Sequence, residues 1–252
     1  YCFSCQEYIK EYDMELQPTT NSNNEYEVKD YMNESNYAEI IDRNISEQTC
    51  KKFGVTVKMD NMGTIINHYY PYHDTQGAKI ATKTRYTKLK EFSIQGNTKN
   101  SGLFGQHLFS KNKYVIITEG ELDALSAYQM MVKGTYHTPV VSIKNGISSA
   151  VKDIKVSLEW LENNFDNVIV NFDNDEHGLD GAMKVAELFS PGKCKIMHLP
   201  EGFKDASDCL AKNKIQIFNK TFWDAKVFAP DGIINANTLL DDVLKPITKS
   251  FV

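Results

Sequence analysis

Three groups of acidic residues stand out in this 252-residue sequence. Glu119, Glu121 and Asp123 follow the apolar run VII. Asp173, Asp175 and Glu176 follow VIVNF. Asp205 and Asp208, beside Lys204, come shortly after IMHLP. Carboxylates gathered within a few ångströms repel one another, and proton uptake or a bound cation relieves the repulsion. Magnesium is a hard ion that prefers oxygen ligands and keeps several waters, so a few carboxylates plus substrate phosphates suit it. Asp173 and Asp175 stand two apart and can share one ion if the backbone turns there. Glu119 stands at a strand-to-helix turn, where Gly120 permits a sharp bend. The competing reading is that acids behind strands cap helices and favour the positive end of the helix dipole. Thr118 with Glu121 reads as a capping box of this kind. Three acidic groups behind three strands favour a shared site over three unrelated caps.

A second feature is basic. Between residues 79 and 90 the chain carries Lys79, Lys83, Arg85, Lys88 and Lys90 and no acid, although its formal net charge is -5. Charge acts locally, so such a stripe can serve as a phosphate-binding track beside a metal site; a solvated charged strand is the alternative. Asn145-Gly146, after PVVSIK, can present backbone N–H groups to a phosphate or a base, or can be a plain tight turn. Lys204 contacts phosphate or pairs with its neighbour Asp205. Cys2 and Cys5 have the spacing of half a structural zinc site. Cys50, His68 and His73 are poor candidates for the other half. Five scattered cysteines do not suggest a disulfide framework, which points to a reducing compartment.

The elements that must position these groups follow from periodicity. Short β-branched runs at 115–118, 140–143, 168–172 and 195–199 alternate with helical patterns at 122–132, 148–163 and 181–189. That alternation implies βαβ units and a mostly parallel sheet, whose strand ends line a ligand crevice. A helix capped by Ser46 is predicted at 46–53, and strands at 64–70 and 79–86. Residues 17–30 are polar and read as a linker. Thr238 with Asp241 resembles a capping box opening a short helix, on which Leu239, Leu240, Val243 and Leu244 form an apolar face. Trp160 and Trp223 read as packing anchors, and His107 as structural. No run approaches the ~18 apolar residues that a membrane span needs. A chain starting at Tyr1 reads as a fragment or a processed product.

TEGELDAL, VNFDNDEHGLDGA and KDASD together resemble the Toprim domain. The flanking segments RNISEQTCKKFGV, SGLFGQHLF, PVVSIKNGISSA and FAPDGIINANTLLDDVL resemble the primase portion of bacteriophage primase-helicases and the linker that joins it to the helicase. The resemblance covers nearly the whole chain. It implies an α/β Toprim domain with a central mostly parallel sheet flanked by helices, preceded by a smaller mixed α+β subdomain. The implied layout is a zinc-module remnant at 1–8, a linker at 9–30, an N-terminal subdomain of the RNA polymerase domain at 31–112, the Toprim domain at 113–228 and a linker helix at 229–252.

The function this resemblance implies is DNA primase: template-directed synthesis of short RNA primers on single-stranded DNA. Glu119 would ligate metal or help deprotonate the attacking 3'-hydroxyl. Asp173 and Asp175 would hold Mg2+ or Mn2+, with Asp123 and Asp205 in support. KTRYTKLKEF resembles the segment that contacts ribonucleoside triphosphate and template, with Lys83, Arg85, Lys88 and Lys90 as its basic residues. Family members often carry a His-Gly pair where this chain has Asn145-Gly146. Cys2 and Cys5 look like the second pair of an N-terminal Zn2+ module that needs upstream ligands. The implied partners are a helicase domain in the same polypeptide, hexameric in the full-length protein, and a replicative DNA polymerase that receives the primer. The implied setting is the host cytoplasm. No GxxxxGK[ST] phosphate loop is present, so helicase activity would belong to another part of the protein. The alternatives are a Toprim nuclease, which shares the acids but needs no nucleotide, and a catalytically silent docking module for a helicase.

Overall fold

The computed structural model describes residues 35–229. The predicted Cys2 and Cys5 site, the linker at 17–30 and the Thr238 helix lie outside them. The first unit opens with α1 (Glu47–Phe53), capped by Ser46, whose side chain accepts from the Thr49 amide. Gly54 ends it in the left-handed region at φ 71°. An antiparallel sheet follows in the order β1 (Thr56–Met59), β2 (Ile65–His73), β3 (Lys79–Tyr86) and β4 (Glu91–Gly96). The predicted helix at 46–53 and strand at 79–86 therefore form where expected, and the strand predicted at 64–70 runs on to His73.

The second unit holds a five-stranded sheet. Its strands are β5 (Asn112–Thr118), β8 (Val140–Ser142), β9 (Phe165–Asn171), β10 (Cys194–Ile196) and β11 (Lys226–Val227), ordered β11-β10-β9-β5-β8. The pairs β5–β8, β5–β9 and β9–β10 are parallel, and β11 runs antiparallel to β10. A small ribbon, β6 (Val132–Lys133) with β7 (Tyr136–His137), separates α2 (Glu121–Met130) from β8. The other helices are α3 (Ala150–Asn164), α4 (Glu176–Ala186), α5 (Ala206–Ala211) and α6 (Ile215–Asp224).

Alternate residues of each central strand feed opposite faces, as a period of two requires. Val115 and Ile117 of β5 pack with Val168, Val170, Ile154 and Val185, under α3 and α4. Ile116 and Ile169 face the other way, toward α2, α5 and α6. That second core runs on into the first unit through Tyr70, Tyr72, Phe53 and Val57. Phe53 bridges the units, stacked on Phe104 and edge-on to Tyr128. Being buried on both faces, the strands read as unbroken apolar runs.

Several expectations need correction. Helix α4 starts at Glu176, five residues before the predicted 181, because Asp175 caps it. Strand β10 ends at Ile196, short of the predicted 199. The Thr118–Glu121 capping box does not form: α2 begins after Gly120 with no side-chain cap, and the Thr118 hydroxyl donates to the Gly120 carbonyl. Glu121 is buried instead. Trp160 packs edge-on against Phe165, and Trp223, though 58% exposed, packs edge-on against Tyr114 and Phe222. Cys50, Cys194 and Cys209 are buried free thiols, each pushed up to about 12 chiefly by burial.

Candidate active site

One acid from each of the three groups meets the others at the carboxyl ends of β5 and β9 and the loop after β10. Oxygens of Asp123, Asp173 and Asp205 all lie within 4.8 Å of one another. Glu119 and Asp175 border this set without joining it. Each acid is placed by its backbone. Glu119 follows β5 directly, beside the main chain of Asp173. Asp123 sits in the first turn of α2, where its Oδ1 accepts from the Ser207 amide at 3.0 Å, tying α2 to α5. Asp173 and Asp175 leave β9 through a turn stitched to the 199–205 loop: the Asn174 amide donates to the Lys204 carbonyl at 2.7 Å, and its side chain to the Leu199 carbonyl at 3.1 Å.

The capping reading and the site reading both hold in part. Asp175 Oδ1 accepts from the Gly178 amide at 2.8 Å, and Asp205 Oδ1 from the Asp208 amide at 2.7 Å. Each cap engages one carboxylate oxygen and leaves the other without an N–H of its own helix. Gly178 is what lets α4 start so close: a Cβ there would lie 2.8 Å from the Asp173 carbonyl carbon and nearer still to its oxygen.

The electrostatics bear the mark of crowded anions. Burial first, then Asp173 and Asp175, push the Glu119 carboxyl up to about 7. Asp123 is driven well above the usual carboxylate range by burial, then by Asp205 and Asp173. Burial raises Asp173 too, against the pull of Lys204. The Lys204 ammonium, largely exposed, lies 2.9 Å from Asp173 Oδ2, so it pairs with Asp173 rather than with its neighbour Asp205. Desolvation and like charges that together disfavour ionisation are what a divalent cation relieves. All donors are carboxylate oxygens, which suits a hard ion. The oxygens around Mg2+ stand about 3–4 Å apart, so the trio fits with shifts of under about an ångström.

The basic stripe divides. Lys83 and Arg85 point from β3 toward the buried face of its sheet. Both cations lie over the Phe92 ring, at 4.6 and 5.7 Å from its centroid. Lys83 is nearly buried and donates to Glu121 Oε1 and to the Lys144 carbonyl, each at 2.8 Å. Lys88 and Lys90 are exposed in the turn between β3 and β4, Lys90 with φ 57°. Asn145 is exposed, and Gly146 takes φ 73° at the end of the β8 segment. A Cβ on Gly146 would stand 3.9 Å from Glu119 Oε1, so this turn faces the acidic crevice.

Sequence reasoning missed Lys144, which is buried. Its amide donates to Asp153 Oδ2 at 2.8 Å, and its ammonium to the Thr98 and Ser101 carbonyls at 3.2 and 3.1 Å. A lysine ending the apolar run PVVSI was the available signal. Gly178, inside a helical pattern, was missed as well.

Comparison with known proteins places this geometry. Residues 35–96 match the family described as bacteriophage T7 DNA helicase/primase, N-terminal a+b fold, and residues 116–210 match the Toprim-like family. A crystal structure of the primase fragment of the bacteriophage T7 primase-helicase protein is 30% identical, with TM-score 0.68, over 82% of this chain and 82% of that one. The chain belongs to the bacteriophage primase-helicase family. Within that family, the DNA helicase/primase of Enterobacteria phage T3 is 32% identical over 213 residues, 84% of this chain but 36% of that protein. The chain thus spans about a third of this relative's length. A second family structure, of bacteriophage T7 lagging-strand DNA polymerase interacting with primase domains bound to an RNA/DNA hybrid and dTTP, is 30% identical over 77% of this chain and 94% of that one, with TM-score 0.68. The expected fold class holds: a Toprim sheet flanked by helices, preceded by a small antiparallel subdomain. Among the described residues, no helix is long and apolar enough to cross a membrane.

Proposed function

We propose that this chain is the primase part of a primase-helicase and joins ribonucleotides into short RNA primers on single-stranded DNA. The observation that carries the reading is the Asp123–Asp173–Asp205 trio, found in a chain 30% identical to a T7 primase fragment. These three residues would hold Mg2+ or Mn2+, with Glu119 and Asp175 completing the acidic rim. Such an ion neutralises charge developing on a transferring phosphoryl group and aligns the reacting oxygens. Glu119, half-buried beside the trio, is placed to act as a metal ligand or as the general base for a primer 3'-hydroxyl. Lys204 is close enough to leave Asp173 for a nucleotide phosphate. Arg85, Lys88 and Lys90 form the nucleotide and template track, and the Asn145-Gly146 turn offers its backbone to the incoming nucleotide. Lys83 stands behind this track.

The unit boundaries follow the same reading: a polymerase-domain subdomain at 31–112 and the Toprim domain at 113–228. Cys2 and Cys5 would bind Zn2+ together with upstream ligands. The name of the T3 relative supports a helicase in the same polypeptide, and we assign it a hexameric ring in the full-length protein. The T7 polymerase structure supports a replicative DNA polymerase as the recipient of the primer. The setting is the cytoplasm of the host cell.

The test is incorporation of labelled ribonucleotides on a single-stranded template, with and without Mg2+. Short RNA products that need template, nucleotides and metal are expected. Degradation of the template with metal alone, and no RNA product, would replace the reading with a nuclease. No product and no metal binding would leave a docking module.

A further inference from the structure

Lys83 belongs to the basic stripe, yet its surroundings set it apart from the rest. An ammonium has three N–H donors. Two of the Lys83 donors go to Glu121 Oε1 and the Lys144 carbonyl, both at 2.8 Å. The remaining side of the head faces the Phe92 ring, 4.6 Å from its centroid. Lys83 and Glu121 side chains are 12% and 5% exposed. The same Glu121 oxygen also accepts from the Tyr72 hydroxyl at 2.6 Å. The charge is thus neutralised, and two of its three donors are committed, without any ligand.

What Lys83 joins is informative. It sits on β3 of the first sheet. Glu121 opens α2, two residues after Glu119 and two before Asp123. Lys144 comes just before the Asn145-Gly146 turn and is itself locked by Asp153, Thr98 and Ser101. One side chain therefore ties the first sheet to two segments that carry the acidic crevice. A buried pair of this kind resists separation, because removing one partner strands a charge away from water.

We propose that Lys83 is a positioning residue: held by Glu121 and the Lys144 carbonyl, it fixes the Glu119–Asp123 turn and the Lys144–Gly146 turn against the β1–β4 sheet and does not bind nucleotide phosphate. This rests on the primase reading and refines it, leaving phosphate contact to Arg85, Lys88, Lys90 and Lys204.

The test compares K83M, E121L, the double variant and K83R in the complete protein. Primer synthesis is followed across a series of ribonucleotide concentrations, and urea unfolding is followed without substrate. K83M and E121L should each lower kcat about tenfold or more while KM for nucleotide stays within about threefold. The double variant should be no worse than the poorer single one, and K83R should recover much of kcat. In unfolding, the two substitutions should be coupled by about tenfold or more in the equilibrium constant. A rise in KM of about tenfold or more in K83M, with E121L binding nucleotide normally, would make Lys83 a phosphate ligand and overturn the proposal. Additive effects on unfolding would overturn it as well. If the unsubstituted protein makes no primer, the primase reading fails, while the unfolding cycle still decides whether Lys83 and Glu121 act as one unit.

Discussion

Gly178 lies directly against the main chain of Asp173. A Cβ at this position would stand 2.8 Å from the Asp173 carbonyl carbon and 3.0 Å from its nitrogen, closer than side chains approach backbone. Helix α4 can begin beside the acidic turn only because this residue has no side chain. Gly178→Ala should push α4 away from Asp173 and loosen the Asp175 cap. Overpacking of this kind costs about 1–3 kcal/mol. The urea midpoint should fall accordingly, and primer synthesis by about tenfold or more, since small misplacements of reacting groups are expensive. An alanine variant with unchanged midpoint and rate would show that this contact does not hold the site.

Lys204 gives a prediction with opposite signs for two ligands. It neutralises Asp173 at 2.9 Å, and that carboxylate in turn raises the Lys204 pKa. Removing the ammonium leaves the acids more crowded. Lys204→Ala should therefore bind Mn2+ alone more tightly than the parent, yet show KM for ribonucleotide raised by about tenfold, as expected when a phosphate contact made in the ground state is lost. Calorimetry and a nucleotide titration read the two effects separately. Weaker binding of both ligands would assign Lys204 to the fold.

Much of this site is legible in the sequence, and the reasons are physical. Strands buried on both faces leave unbroken apolar runs, so β5 and β9 could be placed and the acids found at their ends. Ser46 before an amphipathic stretch marked α1. What lay outside reach was tertiary. Nothing local says whether Glu121 caps its own helix or pairs with Lys83, 38 residues away. Asp123 looked secondary to Glu119, yet Asp123 lies within 4.8 Å of both Asp173 and Asp205, because its place depends on α5 packing against α2. The same ambiguity hid the start of α4. Asp175 serves as cap and as rim of the crevice, and the sequence pattern presented these as alternatives.

Glu119 should make stability depend on pH. Its carboxyl is raised from an ordinary 4.5 to about 7, mainly by burial and then by Asp173 and Asp175. Below pH 4.5 it is protonated in both folded and unfolded chains and contributes no difference. Between about 4.5 and 7 the unfolded chain ionises while the fold retains the proton, so metal-free stability falls as pH rises through this window. For a half-buried group the loss is of order 1–2 kcal/mol after solvent screening. Urea unfolding at pH 5 and pH 8 should show a decline that shrinks in Glu119→Gln and in saturating Mg2+. A decline of equal size in the glutamine variant would assign it to other groups.

The central claim is that Asp123, Asp173 and Asp205 share one divalent ion. Calorimetric titration with Mn2+ tests it directly, using the parent protein and the Asp123→Asn, Asp173→Asn and Asp205→Asn variants. The account predicts that the parent binds an ion at this site and that each variant binds it about tenfold or more weakly, since each loses a charged oxygen ligand. Unchanged affinity in all three would mean that the acids gather at the ends of β5 and β9 without holding a metal.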